Sequence, residues 1–390
     1  MEFTISIIIP VYNAEPYLPR LFRSLQEQTL GFEKLQILFS DDHSSDGSTA
    51  LISEWAAKYS NVILLHVPGE GPSGGAAVPR NLALPHIAAP YLMFLDNDDY
   101  YEPDACEALL TAMQTTGADF VSGYFHEVSV DEVPLQEKHI WCGQLTHSRF
   151  FHLPEELLAA QEINGTFWCK LYRTELVQEN KIDFPTDTQA EDTVFFVRYL
   201  LACKSLYYID KLIYNFRVRD ASVSHTMSAK YLHGRKICYD YLFDLYKAYP
   251  DCLRFVMNGA AAHFLEYICN DGDFTSAERL ALMPDWQRVA AYTVSQPEIM
   301  PPEPPQKRMV TLVAQGKYES AFEVGLLVRP YREAIMTRDK HFLDSEKIWS
   351  STVEAAHAET AAVRAELAAV RASRSYQLAH GLARLLHPGK

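Results

Sequence analysis

Over its first 122 residues the chain alternates short apolar runs with amphipathic stretches, and this rhythm restricts the fold more than any other feature. Ile5 to Val11 is a continuous β-branched run, and Leu35 to Phe39, Val62 to Val67, Tyr91 to Leu95 and Asp119 to Ser122 read as further strands. Helical patterns lie between them near residues 16–28, 46–58, 77–87 and 103–115, the last opened by Pro103 at a first-turn position. Continuous apolar strands separated by helices predict an α/β domain with a Rossmann-like, mostly parallel sheet and helices on both faces. Ligands of such sheets bind at the carboxyl ends of the strands.

Each polar cluster of this region falls at such an end. Tyr91 to Leu95 runs straight into Asp96-Asn97-Asp98-Asp99, three carboxylates in four positions. Crowded carboxylates raise one another's pKa unless a cation intervenes, so a divalent metal carrying a phosphate ligand is the natural occupant, and a nucleotide diphosphate is the implied substrate. A solvated acidic turn is the plainer alternative. At the first strand end, Pro10-Val11-Tyr12-Asn13 sets an aromatic and an amide where a planar base could lie. At the second, Ser40-Asp41-Asp42-His43-Ser44-Ser45-Asp46 offers a carboxylate for the imide hydrogen of a uracil ring, while Ser44, Ser45 and Asp46 also suit helix capping. Ser73-Gly74-Gly75-Ala76-Ala77-Val78-Pro79-Arg80-Asn81 lets backbone approach a ligand and supplies a charge for a diphosphate.

Further on, Glu191-Asp192 opens an apolar helix over 191–202. Two acids there are either dipole-favoured caps or, with one turned into a cleft, a general base. Trp168 and Lys170 precede this helix, and Arg217 and Arg219 follow it. The tryptophan reads as a sugar-stacking ring or as core, and the cations as phosphate contacts or surface charges. His225, His233 and His263 have no metal-binding spacing.

The order PVYN, DDHSSDGS, GGAAVPRN, FLDNDDY and AEDTVFF resembles the inverting family-2 glycosyltransferases of the GT-A fold, over roughly residues 3 to 225. Within that family the segment CKLYRTELV at 169–177 is similar to enzymes that place N-acetylglucosamine on wall teichoic acid. The resemblance implies that Pro10, Tyr12, Asn13, Asp41 and Asp42 surround the nucleotide base, that Arg80 and Asn81 meet the diphosphate, and that Asp96 and Asn97 lie by the ribose. It implies Trp168 at the donor, Asp98 and Asp99 on Mn2+ or Mg2+, and Asp192 as general base beside Glu191. His43 stands where glycine is usual, and Ala76-Ala77 replaces a more glycine-rich loop. The implied reaction moves a sugar from a UDP-sugar to a cell-surface polysaccharide or lipid-linked glycan. A transferase using a CDP-linked polyol phosphate and a catalytically silent assembly module are the competing readings.

A formal net charge of -15 argues against nucleic-acid binding. Seven cysteines without a C-x-x-C pair read as reduced, buried thiols of a cytoplasmic protein, and no apolar run is long enough to cross a bilayer. The chain divides by pattern into a catalytic domain at 1–225, a helical acceptor region at 226–330 containing a Pro-rich linker at 297–305, and a tail at 331–390. In the tail, Val353, Ala356, Thr360, Val363, Leu367 and Val370 form a short coiled-coil-like seam, followed by a basic amphipathic end. Self-association to a homo-oligomer, or peripheral contact with the inner face of the plasma membrane, is the expectation for this segment.

Overall fold

The computed structural model describes residues 2–135, 145, 147–161, 163, 165–218, 228–270 and 274–333, with six scattered helical positions between 358 and 369. The tail seam and the basic end therefore lie almost wholly outside the described residues, as do Arg219, His225 and Cys142. The described chain forms two compact units, one of residues 1–226 with 240–252 and one of residues 227–239 with 253–390.

In the first unit, β1 (Ile5–Val11) and β2 (Leu35–Asp41) are buried at every position, which is why both are mostly apolar and why their polar Ser6 and Gln36 are hydrogen-bonded to one another. With β3 (Val62–His66) and β4 (Tyr91–Phe94) they make a parallel half-sheet, ordered β3-β2-β1-β4. Helices α1 (Leu18–Gln26), α2 (Ser48–Lys58), α3 (Ala77–Ala83) and α4 (Ala105–Thr116) fill the intervals. Pro103 precedes the Asp104 N-cap of α4 and is not in its first turn. The sheet is less parallel than the sequence predicts. β5 (Tyr100–Tyr101), β6 (Phe120–Val128), β7 (Arg149–His152), β8 (Lys170–Arg173) and β9 (Ser205–Arg217) continue it as β4-β8-β6-β9-β5, with β7 also on β9. β8 is antiparallel to both neighbours, and its four residues carry too little pattern to announce a strand. Gly123 marks a register shift between β6 and β9, where a Cβ would stand 2.8 Å from the Lys211 carbonyl oxygen. Short helices α5 (Leu157–Ala160) and α6 (Thr174–Glu179) lead to α7 (Glu191–Ala202), whose apolar face is buried from Val194 to Leu200 except at Arg198.

Helix α8 (Ala229–Leu245) begins in the second unit and ends in the first. α9 (Pro250–Met257), α10 (Ala260–Asn270), α11 (Ser276–Leu282), α12 (Gln287–Ser295), α13 (Pro304–Ala314) and α14 (Tyr318–Gly325) follow. The second unit is built around Trp286, fully buried and stacked on Phe264 at 4.3 Å. The Pro-rich stretch is no linker: Ile299 and Pro301 are buried and Pro304 starts α13, because proline suits a first helical turn. The six described cysteines are buried, and none of them is in a disulfide.

Candidate active site

Register sets the site. Val11 lies beside Asp41 and Ile8 beside Phe94, so the polar segments leaving β1, β2 and β4 emerge along one edge of the sheet. The first two are stitched together. Asn13, with φ of 48°, donates its N–H to Ser44 Oγ, and its side-chain oxygen accepts from the Ser45 N–H at 2.8 Å. Ala14 N–H donates to Ser48 Oγ and Gly47 N–H to Glu15, while the Asp42 N–H returns to the Val11 carbonyl. Ser44 and Ser45 thus brace a neighbouring loop and do not cap α2, and the Asn13 side-chain oxygen takes part in the same brace. His43 adopts φ of 62°, the left-handed region where glycine is at ease.

Tyr12 keeps 49% of its surface in solvent, free to offer a ring face. Asp41 and Asp42 are both buried. Asp41 accepts from the Ser44 N–H and faces His66 at 3.7 Å, which makes it part of the loop's frame. Asp42 takes three hydrogen bonds from one residue, the Ser73 N–H at 2.9 and 3.0 Å and the Ser73 hydroxyl at 2.7 Å. Ser73 was quoted in the sequence motif, but only tertiary proximity makes it Asp42's partner.

Arg80 is where three segments meet. Its guanidinium donates to Asp96 Oδ1 at 2.8 Å and to Glu191 Oε1 at 2.9 Å, and lies 4.2 Å over the Phe167 ring. Its side chain is 5% exposed, against 25% for Asp96 and 18% for Glu191. Burial alone would lower its pKa, but Asp96 and Glu191 outweigh burial and raise it, so the charge is locked on. Glu191 is raised in turn, because burial and Asp192 exceed the pull of Arg80. Each terminal nitrogen of Arg80 thus holds one acid before any diphosphate is present. Asn81 is also bonded within the protein. Its amide exchanges two hydrogen bonds with the Phe184 backbone, at 2.7 and 2.9 Å, and so holds the turn before α7.

Asp192 Oδ1 accepts from the Thr193 N–H at 2.7 Å, and Oδ2 accepts no hydrogen bond from the described residues. The N-cap of α7 is Ala190, so neither acid is a cap by side chain.

The acid loop separates its members. Asp99 is 1% exposed and both oxygens are taken, Oδ1 by the Arg217 N–H and Oδ2 by the Tyr214 hydroxyl, each at 2.7 Å. Burial, then Asp98 and Asp96, push it well above the usual carboxylate range. Both Asp99 oxygens are thus tied to β9 in this structure. Asp98 is half-buried, and its carbonyl accepts from Arg217 Nε. Among the described residues no three His, Cys, Asp or Glu side chains converge on a metal position. The hard oxygens of Asp98 and Asp96 fit a cation held by one or two carboxylates and mostly by substrate phosphates, and do not fit an all-protein cage.

Tyr214 completes this loop, for its hydroxyl also accepts the Asp96 N–H at 3.2 Å. Trp168 lies behind it, buried and stacked on Tyr214 at 4.5 Å and on Phe216 at 5.6 Å. The tryptophan assigned to the donor sugar is thus a core ring, driven inward by the aromatic surface of β9. Lys170 is fully buried, 5.1 Å from the Phe196 ring, and is not a surface charge. Arg217 spends its side chain on Asp98, Val130 and Glu132. Alternation along β9 was the only sequence signal for Tyr214.

The first unit is thus an α/β domain whose half-parallel sheet carries an exposed tyrosine, a buried aspartate and an acid loop along one edge. Residues 6–180 match the model of glycosyl transferase family 2. The chain is 32% identical over 205 residues to a poly(ribitol-phosphate) beta-glucosyltransferase of Bacillus spizizenii, covering 52% of this chain and 30% of the relative. It is 29% identical over 229 residues to the poly(ribitol-phosphate) beta-N-acetylglucosaminyltransferase TarS of Staphylococcus aureus, covering 57% and 37%. It spans about a third of the length of the first curated relatives it matches. The crystal structure of S. aureus TarS 1–349 with UDP-GlcNAc aligns with a TM-score of 0.66 at 19% identity, over 85% of this chain and 92% of that structure, and establishes the shared GT-A fold.

Proposed function

We propose that this chain is an inverting glycosyltransferase that moves a sugar from a UDP-linked donor to a cell-surface polymer or its lipid-linked precursor. The observation that carries this reading is Arg80 joined to Asp96 and Glu191, which draws the donor loop, the acid loop and the start of α7 to one point. The activities printed for the relatives support a polyol-phosphate polymer as acceptor.

In this reading Tyr12 covers one face of the base, and Asp42 accepts the imide hydrogen in place of the Ser73 bonds. Asp96 lies by the ribose. Asp98, with Asp96 nearby, would hold Mn2+ or Mg2+, which supplies charge neutralisation for the leaving diphosphate. Arg80 keeps Asp96 and Glu191 in place. Asp192, with Oδ1 fixed by the Thr193 N–H, presents Oδ2 to the acceptor hydroxyl and takes its proton as the acceptor oxygen bonds to the anomeric carbon. The bond from that carbon to the diphosphate oxygen breaks on the opposite face, and the electron pair leaves with UDP. A base of this kind contributes about 10²- to 10⁴-fold. We further propose cytoplasmic action, with residues 331–390 serving self-association or membrane contact. No helix of the described residues is long and apolar enough to cross a membrane.

Calorimetric titration with UDP, CDP and GDP, with and without manganese, tests the donor. UDP is expected to bind in a manganese-dependent way, and Asp98→Asn to remove that dependence while the circular dichroism spectrum stays native. Preference for CDP, or an Asp98→Asn variant that binds UDP with manganese as the parent does, would overturn the assignment.

A further inference from the structure

The second unit contains a cleft of about 430 Å³ that no part of the proposed chemistry uses. One wall is the outer face of α10 and the turn before it, presenting Asn258, His263, Glu266 and Tyr267. The opposite wall is the Pro-rich turn around Met300 and Pro302, with Gln306 of α13 and Arg332. The volume falls in the range of small-molecule sites.

Its charged groups are already bound to one another. Arg332 forks onto Glu266 at 2.8 and 3.1 Å and onto Glu303 at 3.0 Å through two nitrogens, and Gln306 donates to Glu266 at 2.6 Å. The network is hydrogen-bonded before any ligand arrives, which lowers the entropy lost on binding. Glu266 is the carboxylate of the lining, and Glu303, outside the lining, also binds Arg332, so the network holds two carboxylates to one guanidinium and disfavours an anion. The Glu266 oxygens retain lone-pair capacity for a hydroxyl donor, and the Asn258 amide offers a donor and an acceptor side by side. His263 and Tyr267, four residues apart on α10, set two rings on one face of the helix, next to the apolar surface of Met300 and Pro302. A ligand with hydroxyls along its edge and C–H groups on its faces matches both features.

We infer that this cleft is a binding subsite for an uncharged sugar or polyol unit. The choice of ligand class rests on the glycosyl-transfer reading above, and the site would hold an uncharged glycosyl or polyol part of the acceptor and not its phosphate groups. The test uses the full chain and saturation-transfer NMR with glucose, N-acetylglucosamine and ribitol as neutral probes at about 10 mM, suited to millimolar affinity, with inorganic phosphate as the anionic comparison. At least one neutral probe is expected to receive saturation that persists in excess UDP. That signal should fall about tenfold, equivalent to 1.4 kcal/mol, in the surface variant Asn258→Ala/His263→Ala. Gln306→Leu, which leaves Arg332 on both glutamates, should lower it as well. The inference is overturned by silence of all three probes, by a signal that UDP abolishes, or by variants that keep it in full. Binding of phosphate alone, or of a proline-rich peptide with no neutral probe, also overturns it. UDP titration of the same sample separates the two readings. A saccharide signal without UDP binding keeps the cleft and removes the transferase assignment, and UDP binding without the signal does the reverse.

Discussion

Replacing Arg80 by methionine keeps an unbranched chain over Phe167 but strands two carboxylates. Removing one partner of a buried ion pair costs about 3–5 kcal/mol. Asp96 and Glu191 retain 25% and 18% exposure, which sets the expectation at the low end, about 3 kcal/mol. For a domain of this size that is a fall in Tm of about 6–12 °C. The deficit should depend on pH. Glu191 already sits above its ordinary value through burial, with Asp192 adding and Arg80 opposing, so losing Arg80 raises it further. A carboxyl whose folded pKa exceeds its unfolded one binds its proton more readily in the folded state. Stability is then fullest below the unfolded value and is lost as pH rises through the folded one. Thermal melts at about pH 5 and about pH 8 should therefore show the larger deficit at the higher pH. Adding Glu191→Gln to Arg80→Met should recover about half of that deficit, because one of the two stranded charges is gone. Equal deficits at both pH values, with strictly additive single changes, would refute the charge lock.

Asp192→Asn should keep UDP-sugar affinity, measured by calorimetry, while turnover falls at least about 10²-fold; turnover within tenfold of the parent would reduce Asp192 to a structural acid. Trp168→Ala should destabilise by about 3–5 kcal/mol in urea titration without a matching change in donor specificity, as a core ring does. Tyr214→Phe leaves Asp99 and the Asp96 N–H each without one partner, at about 1–3 kcal/mol. It should weaken manganese-dependent UDP binding, whereas unchanged binding would make the tyrosine mere packing. His43→Gly should be neutral or stabilising by up to about 1 kcal/mol in the same titration, since φ of 62° strains histidine more than glycine.

The strands β1, β2 and β4 and the start of α7 were legible because hydrophobic periodicity is a local property, carried by residues that touch the same core. The acid cluster after Phe94 and the Glu191-Asp192 pair were legible for a related reason. Like charges rarely crowd without a cause, and the cause can be read without coordinates. What each acid does was not legible. Asp98 and Asp99 are adjacent in a turn, where no period distinguishes inside from outside, and only β9 arriving with Tyr214 and Arg217 buries one and spares the other. Those partners lie 115 and 118 positions away. The same distance effect hid Ser73 on Asp42 and the two acids on Arg80. By itself, then, the sequence determined that an α/β domain of GT-A type folds here and which strand ends carry its polar groups. The tertiary structure alone decided which side chains face the cleft, because hydrogen-bond partners far apart in the chain are chosen by packing and not by neighbours.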